Sequence, residues 1–551
     1  MSVAPNSILF SLMTLFARIT GQIRAILLVA AIGATGYVAD AFDVANNVPT
    51  TLNVLLTTGI FNAILVPTIT KSQKFKNADE RISKMITFAG SIIFLLTVVL
   101  TIFSAVIITA VASNDWGPQQ RLLAVSFGFW CMPQVFFYGL YTLLGQVLAS
   151  REKFVAYGFA PVFNNIISSL VLVAFILING GFGNQIAIDN MTNSKIILLA
   201  LGSTIAIAAQ ALILIIPLVR SGFRFKLKFG VHGFGLRNIS KLAVWSFLMM
   251  LIEQLVALFC VKIVSGAPNA AVQKGLQVDE IASIGGNAAY TSAIVIFAVA
   301  HSLITVTLMT TLFTRISKNA ATNNMRAINR DLLKGINFII LLITFATAVF
   351  LVLNVPIVRV LIPSAYSTSC SVIALGVAAL SLKLIPAGVY QMTSRVFFAL
   401  GKVRSLFIIE VPEHLILIVL VLLTTKLLDP SWWIFGVCLS GAVAYAFAAV
   451  MVLFAVKAQI LKRNLNLKIV VRTLIKCLIA GAFSVLTGVL LKNLLFLDLD
   501  FSITSWGISL LAIVLIGSVM LFVYCLICRA LKVYELEVLL RKVYSKMHKK
   551  S

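Results

Sequence analysis

The chain has 551 residues, of which 60% are hydrophobic and only 11% charged, and its formal net charge is +26. A water-soluble chain of this size could not cover itself with polar surface, so the composition points to the membrane. Continuous apolar runs such as "SIIFLLTVVLTIFSAVIITAVA" exclude a β-barrel, whose strands alternate over about ten residues, and predict an all-α polytopic membrane protein.

Runs long enough to span fall at 6–32, 38–70, 84–113, 121–149, 154–179, 194–219, 238–265, 281–314, 332–361, 368–399, 404–428, 432–456, 469–493 and 502–528, which predicts 14 transmembrane helices. No basic start with a short apolar core and a small-residue cleavage site opens the chain, so the first helix is expected to be retained. With the N-terminus placed in the cytoplasm, 33 of the 44 basic residues fall on inside loops and the C-terminal tail, and six on outside loops. That asymmetry predicts cytoplasmic termini, because positive charge is retained on the inner side. Topology and anionic lipid account for the basic excess, and no nucleic-acid partner is needed.

The first segment carries Arg18 and Arg24 inside otherwise apolar helix. About twelve residues at 1.5 Å each place Arg18 about 18 Å from the inner edge, too deep for simple snorkelling. Gly21, between them, permits a bend that would turn both toward one cavity. Always charged and planar, arginine suits phosphate oxygens, so the expected cargo is anionic, with a phosphate-bearing lipid as the obvious candidate.

Two repeats follow along the chain. "TITK" (68–71) ends the second segment much as "RISK" (315–318) ends the eighth, and "GLYTLLGQVLASREK" (139–153) aligns with "GVYQMTSRVFFALGK" (388–402), pairing Gly139 with Gly388 at an offset of 249. Nearly equal offsets predict two six-helix lobes, 1–220 and 221–460, with two appended helices in 461–530 and a basic cytoplasmic tail, 531–551. Segment 7 carries Glu253, and segment 11 carries Glu410, Glu413 and His414 beside Pro412. Carboxylates at bilayer depth are candidate ion-coupling groups for Na⁺ or a proton, and they are expected to meet in the second lobe. Lys262 and Arg395, near segment ends, are expected to snorkel. The seven cysteines lie in apolar segments, so neither a metal site nor a disulfide is expected.

"LFARITGQIR", "ADAFDVANNVPTTLNVLLTTGIFNAILVPTITK" and "GLYTLLGQVLASREKF" followed by "APVFNN" resemble the MurJ (MviN) family of lipid II flippases, in the multidrug/oligosaccharidyl-lipid/polysaccharide exporter superfamily. The likeness covers at least the first twelve segments, and "HSLITVTLMTTLFTRISK" is most similar to the branch of high-GC Gram-positive bacteria. The resemblance implies alternating access around a cationic cavity enclosed by two lobes, with 461–530 forming a groove for the polyprenyl tail. It also implies a place in the bacterial cytoplasmic membrane, a role in cell-wall synthesis and cell shape, and lipid II as cargo. The other partners it suggests are membrane lipids and cell-wall synthesis proteins. No enzymatic activity or cofactor is expected, and transport would be coupled to Na⁺, H⁺ or the membrane potential.

On this resemblance Arg18 and Arg24 match the two cavity arginines of the first helix, and Asp40 matches the aspartate of the "DAF" motif. The chain departs from the pattern at Ala25, Asn53, Val54, Thr58 and Val295, where relatives carry charged residues. A less charged cavity would then be filled by Asn46, Asn47, Asn53, Asn62 and Asn287. Rival readings are an exporter of another polyprenyl-linked glycan and a non-transporting cell-wall scaffold. A polyprenyl-phosphate enzyme would need an acidic cluster for Mg²⁺, and no DDxxD-like run occurs.

Overall fold

The computed structural model describes residues 3–56, 69, 75, 77–151, 153–179, 187–230, 241–277, 283–460, 465–495, 500–501 and 503–547. Among these, all regular structure is helical. Twelve helical stretches, from Ala78–Ile102 to Trp506–Ala530, are long and apolar enough to cross a membrane. They coincide with the third to fourteenth predicted segments. The first predicted segment is the helix Val3–Ile32, and the second is described only as far as residue 56.

Contacts divide the chain into two compact units, 1–288 and 289–551. The first contains α1 (Val3–Ile32), α2 (Tyr37–Val54), α3 (Ala78–Ile102), α4 (Ser104–Val111), α5 (Pro118–Cys131), α6 (Gln134–Ser150), α7 (Phe154–Asn179), α8 (Asn193–Leu212), α9 (Ile215–Arg220), α10 (Lys241–Ser265) and α11 (Ala267–Gln273). α1 and α2 are joined by a tight turn in which Gly33 (φ 86°) and Gly36 (φ 104°) take the left-handed conformation that side chains resist. The core of this unit packs Val38, Phe42 and Val48 of α2 against Phe127 of α5 and Leu199 of α8. The Phe42 and Phe127 rings meet edge to face at 5.3 Å.

The repeat offsets place a lobe boundary at 220, whereas by contacts α10 and α11 group with the first unit. Trp116 Nε1 donates to the Ser265 carbonyl at 2.7 Å, and Lys262 Nζ donates to the Ala110 carbonyl at 3.1 Å. Lys262 therefore spends its charge on the last turn of α4, where free carbonyls and the helix dipole favour a cation, instead of snorkelling. At the other end of the unit, Arg151 pairs with Asp79 in the first turn of α3, and Lys228 and Lys84 both reach Glu80, at 3.0 and 3.2 Å. Basic residues that the sequence assigns to three separate inside loops thus converge on one acidic turn. The two lysine pairs are exposed and add little stability, but together with the more covered Arg151 pair they fix those loops on one side.

The second unit contains α12 (Asn287–His301), whose first two residues belong to the first unit, α13 (Thr307–Ala321), α14 (Met325–Val352), α15 (Asn354–Leu361), α16 (Ser367–Ala399), α17 (Val403–Leu427), α18 (Trp433–Ala455), α19 (Leu467–Leu495), α20 (Trp506–Ala530) and α21 (Tyr534–Met547). A π turn, Ser302–Val306, links α12 to α13. Buried Asp331 accepts from Arg315 at 2.9 Å and from Asn319 at 3.1 Å. The amphipathic α21 is docked through buried Glu535, which accepts from Asn337 Nδ2 of α14 at 2.8 Å. Arg359 Nε meets the Thr504 carbonyl at 3.0 Å.

Large apolar side chains such as Leu95, Ile102, Leu177, Leu427 and Phe522 stand exposed around both units. A soluble protein does not display apolar surface on that scale, and here it is the lipid-facing surface.

The aligned glycines occupy matching places. A Cβ on Gly139 of α6 would come within 2.9 Å of Ile93 of α3, and one on Gly388 of α16 within 2.7 Å of Ile339 of α14. At each of these aligned positions a methyl would press on an isoleucine of the neighbouring helix.

Candidate functional site

α1 runs unbroken past both arginines, with Arg18 exposed and Arg24 half-buried. Gly21 does not break the helix. It faces Asn165 of α7, the second asparagine of "APVFNN", whose Nδ2 donates to the Ala17 carbonyl at 2.9 Å and to Thr20 Oγ1 at 3.0 Å. This crossing holds the Gly21 turn of α1 against α7. Arg24 lies within electrostatic reach of Tyr138 on α6, whose hydroxyl is beside Thr50 of α2. The second arginine is thus directed to the α2–α6 side of the unit.

The polar residues of α2 form a connected cluster. Asp40 is fully buried, and its Oδ1 accepts from the Ala288 backbone N–H at 2.8 Å. Its side chain lies directly against Gly286, where an added Cβ would overlap the carboxylate. One turn on, Asp43 Oδ2 accepts from Asn47 Nδ2 at 2.9 Å and from Asn287 Nδ2 at 2.6 Å. Asn46 Oδ1 accepts from Gln134 Nε2 of α6 at 3.1 Å. Of the asparagines expected to line a cavity, then, Asn46, Asn47 and Asn287 are engaged with protein partners. Asn53 is half-buried, and Asn62 lies outside the described residues. A carboxylate facing the first N–H groups of a helix is favourable, so Asp40 and Asp43 act as fasteners for residues 286–288.

The second unit gathers Glu410, Glu413 and His414. Glu410 accepts from the Tyr390 hydroxyl of α16. His414 Nδ1 sits 2.6 Å from Glu413 Oε2 and 2.8 Å from the Glu410 carbonyl, the position of one N–H shared between two acceptors. Glu413 is 3% exposed, and its Oε1 has no hydrogen-bond partner. Lys383 Nζ lies 4.1 Å from the Tyr445 ring centroid, and that ring meets Tyr390 edge to face at 5.9 Å. Glu253, by contrast, is exposed on α10 in the first unit. Arg395 sits between the Phe313 and Phe398 rings, at 5.7 and 5.6 Å. Among the described residues no group of three or more His, Cys, Asp and Glu is spaced to hold a metal ion.

A family model described as the lipid II flippase MurJ matches residues 28–501. The chain belongs to the MurJ lipid II flippase family. The probable MurJ of Buchnera aphidicola is 31% identical over 160 residues, covering 28% of this chain and 31% of that protein. The MurJ of Burkholderia cenocepacia is 34% identical over 167 residues, covering 29% and 32%. The chain thus aligns with about a third of the length of these relatives. The solved structure of MurJ in an inward closed conformation superposes with a TM-score of 0.71 at 20% identity, covering 95% of this chain and 99% of that one. At that identity it shows a shared fold.

The matched region begins at residue 28, so it contains Asp40, while Arg18 and Arg24 lie ahead of it and are likened to cavity arginines on the sequence resemblance alone. Val295 stands exposed on α12. Asp43, Gln134 and Gly286 escaped the sequence reading. The available signals were the spacing of Asp43 three residues after Asp40 on one helix face, and the glycine pair 285–286 ahead of a helix start.

Proposed function

We propose that this protein moves lipid II, the pyrophosphate-linked precursor of peptidoglycan, from the inner to the outer leaflet of the bacterial cytoplasmic membrane by alternating access. The observation that carries this reading is the pair Arg18 and Arg24 on the first helix of a MurJ-family chain, two permanent cations at membrane depth with forked donors matched to phosphate oxygens. Depleting the protein in its host and locating lipid II tests the reading. Accumulation in the inner leaflet is expected, and unchanged distribution would leave the chain without this role.

Both termini are placed in the cytoplasm. The charge asymmetry supports this, and the meeting of Lys84, Arg151 and Lys228 on one acidic turn supports the alternation behind it. Single cysteines at 76, 195 and 228, with the seven native cysteines replaced, are expected to react with an impermeant thiol reagent from outside only at 195. Labelling at 76 or 228 in intact cells would overturn the orientation.

Glu410, Glu413 and His414 are the proposed coupling groups, with Glu253 a separate candidate. The arrangement favours a proton over Na⁺: each acid has a titratable neighbour, Tyr390 or His414, and a hard cation would need several converging oxygens. An ion drives a conformational change only when the two access states differ in affinity for it. Glu410→Gln and Glu413→Gln should leave lipid II binding intact and remove the dependence of flipping on imposed pH gradient or potential in reconstituted vesicles. If both variants respond as the wild type does, these acids have only a packing role. If Glu253→Gln alone abolishes the response, coupling belongs to the first unit.

A further inference from the structure

The start of α19 carries Lys468, Arg472 and Lys476 at four-residue spacing, which stacks all three on one face over about 12 Å. Together with Leu467, Val471 and Ile475 they line a groove of about 450 Å³. Lys468, Arg472, Val471 and Ile475 are exposed, and Lys476 is half-buried with its Nζ donating to the Lys532 carbonyl at 3.0 Å. No carboxylate among the described residues forms an ion pair with any of the three. Like charges at four-residue spacing destabilise a helix, so this stripe calls for an anion from outside the chain.

The depth of the stripe indicates which anion. α19 has 29 residues, about 44 Å of helix, whereas a hydrocarbon core is about 30 Å thick. The 19 residues from Cys477 to Leu495 cross that core by themselves. The three cations therefore lie in the headgroup layer, with exposed Val471, Ile475 and Leu478 leading from them toward the acyl region. Phosphate above and hydrocarbon below is the chemistry of a phospholipid. Arg472 supplies the planar fork for two phosphate oxygens, and Lys468 and Lys476 flank it as point charges.

We propose that the basic groove at the start of α19 is a binding site for the headgroup of one anionic phospholipid, independent of the arginines of α1. Placing it in the inner leaflet rests on the orientation proposed above; the site itself does not depend on flipping.

The test uses the full chain in detergent, stripped of lipid and titrated with phosphatidylglycerol or phosphatidylcholine, with bound lipids counted by native mass spectrometry. The wild type should hold one more phosphatidylglycerol than Lys468→Gln/Arg472→Gln, with apparent affinity falling about fivefold for each charge removed. Arg472→Lys should fall between, and Lys426→Gln, which removes one exposed cation elsewhere, should bind as the wild type does. Arg18→Ala should retain the lipid, which separates this site from the transport reading. Equal phosphatidylglycerol occupancy in wild type and double variant would overturn the proposal, as would equal retention of phosphatidylcholine. Displacement of the bound lipid by a polyprenyl-pyrophosphate lipid at equal concentration would also overturn it, by assigning the groove to the cargo.

Discussion

Arg18→Ala and Arg24→Ala should each abolish growth of a flippase-depleted strain while the protein accumulates normally in the membrane. Neither arginine is a core residue: one is exposed and the other half-buried, so truncation opens no cavity and stability should change by about 0.5 kcal/mol or less. α1 is held on either side of Arg18 by Asn165, which reaches Ala17 and Thr20, so the helix keeps its place when the guanidinium is gone. What disappears is a permanent charge with paired donors. Arg24→Lys separates the two contributions: it keeps the charge, loses the fork, and should restore growth only in part. Complementation by both alanine variants at normal abundance would remove the arginines from the mechanism.

Gly286→Ala should be the most damaging single methyl in the first unit. The added carbon overlaps the Asp40 carboxylate, which is fully buried and takes its hydrogen bond from Ala288 two residues away. Forcing that carboxylate aside leaves a buried acceptor without its donor, at a cost of about 3 kcal/mol. Protein yield and the midpoint of thermal unfolding in detergent should both fall. Asp40→Ala in the same chain removes the overlap, so the second substitution should then add little, and the double-mutant cycle measures that coupling directly. A single Gly286→Ala variant that melts with the wild type would show that the close approach is dispensable.

The membrane architecture was readable because its signal is local. Each apolar run from residue 84 onward contains its own evidence of length, and twelve of these reappear as spanning helices. Interruptions inside runs were less visible. The continuous run 84–113 gives no hint that the helix stops at Phe103 (φ −90°, ψ 12°) and restarts, because no Gly, Pro or charge stands beside it.

Polar side chains were readable as present but not as partnered. Asn287 was picked out as cargo-facing, yet its amide binds Asp43, 244 positions earlier. Gly21 reads as a point where α1 can bend, and its packing partner, Asn165, sits on a helix that no spacing rule connects to it. Glu410, Glu413 and His414 were the easier case, since four residues of one helix bring them together.

The two tight crossings at Gly139 and Gly388 have a genealogical consequence. A methyl at either position would press on an isoleucine of the neighbouring helix, so replacement there demands a shift and both glycines should resist substitution. Matching constraints at aligned positions are what doubling of one ancestral template would leave behind. Charged side chains carry no such constraint. The charges differ between the units: the first carries Arg18 and Arg24, the second Glu410 and Glu413. Under the function proposed above, two units with one kind of tight crossing would divide the labour, one meeting an anion and the other a cation.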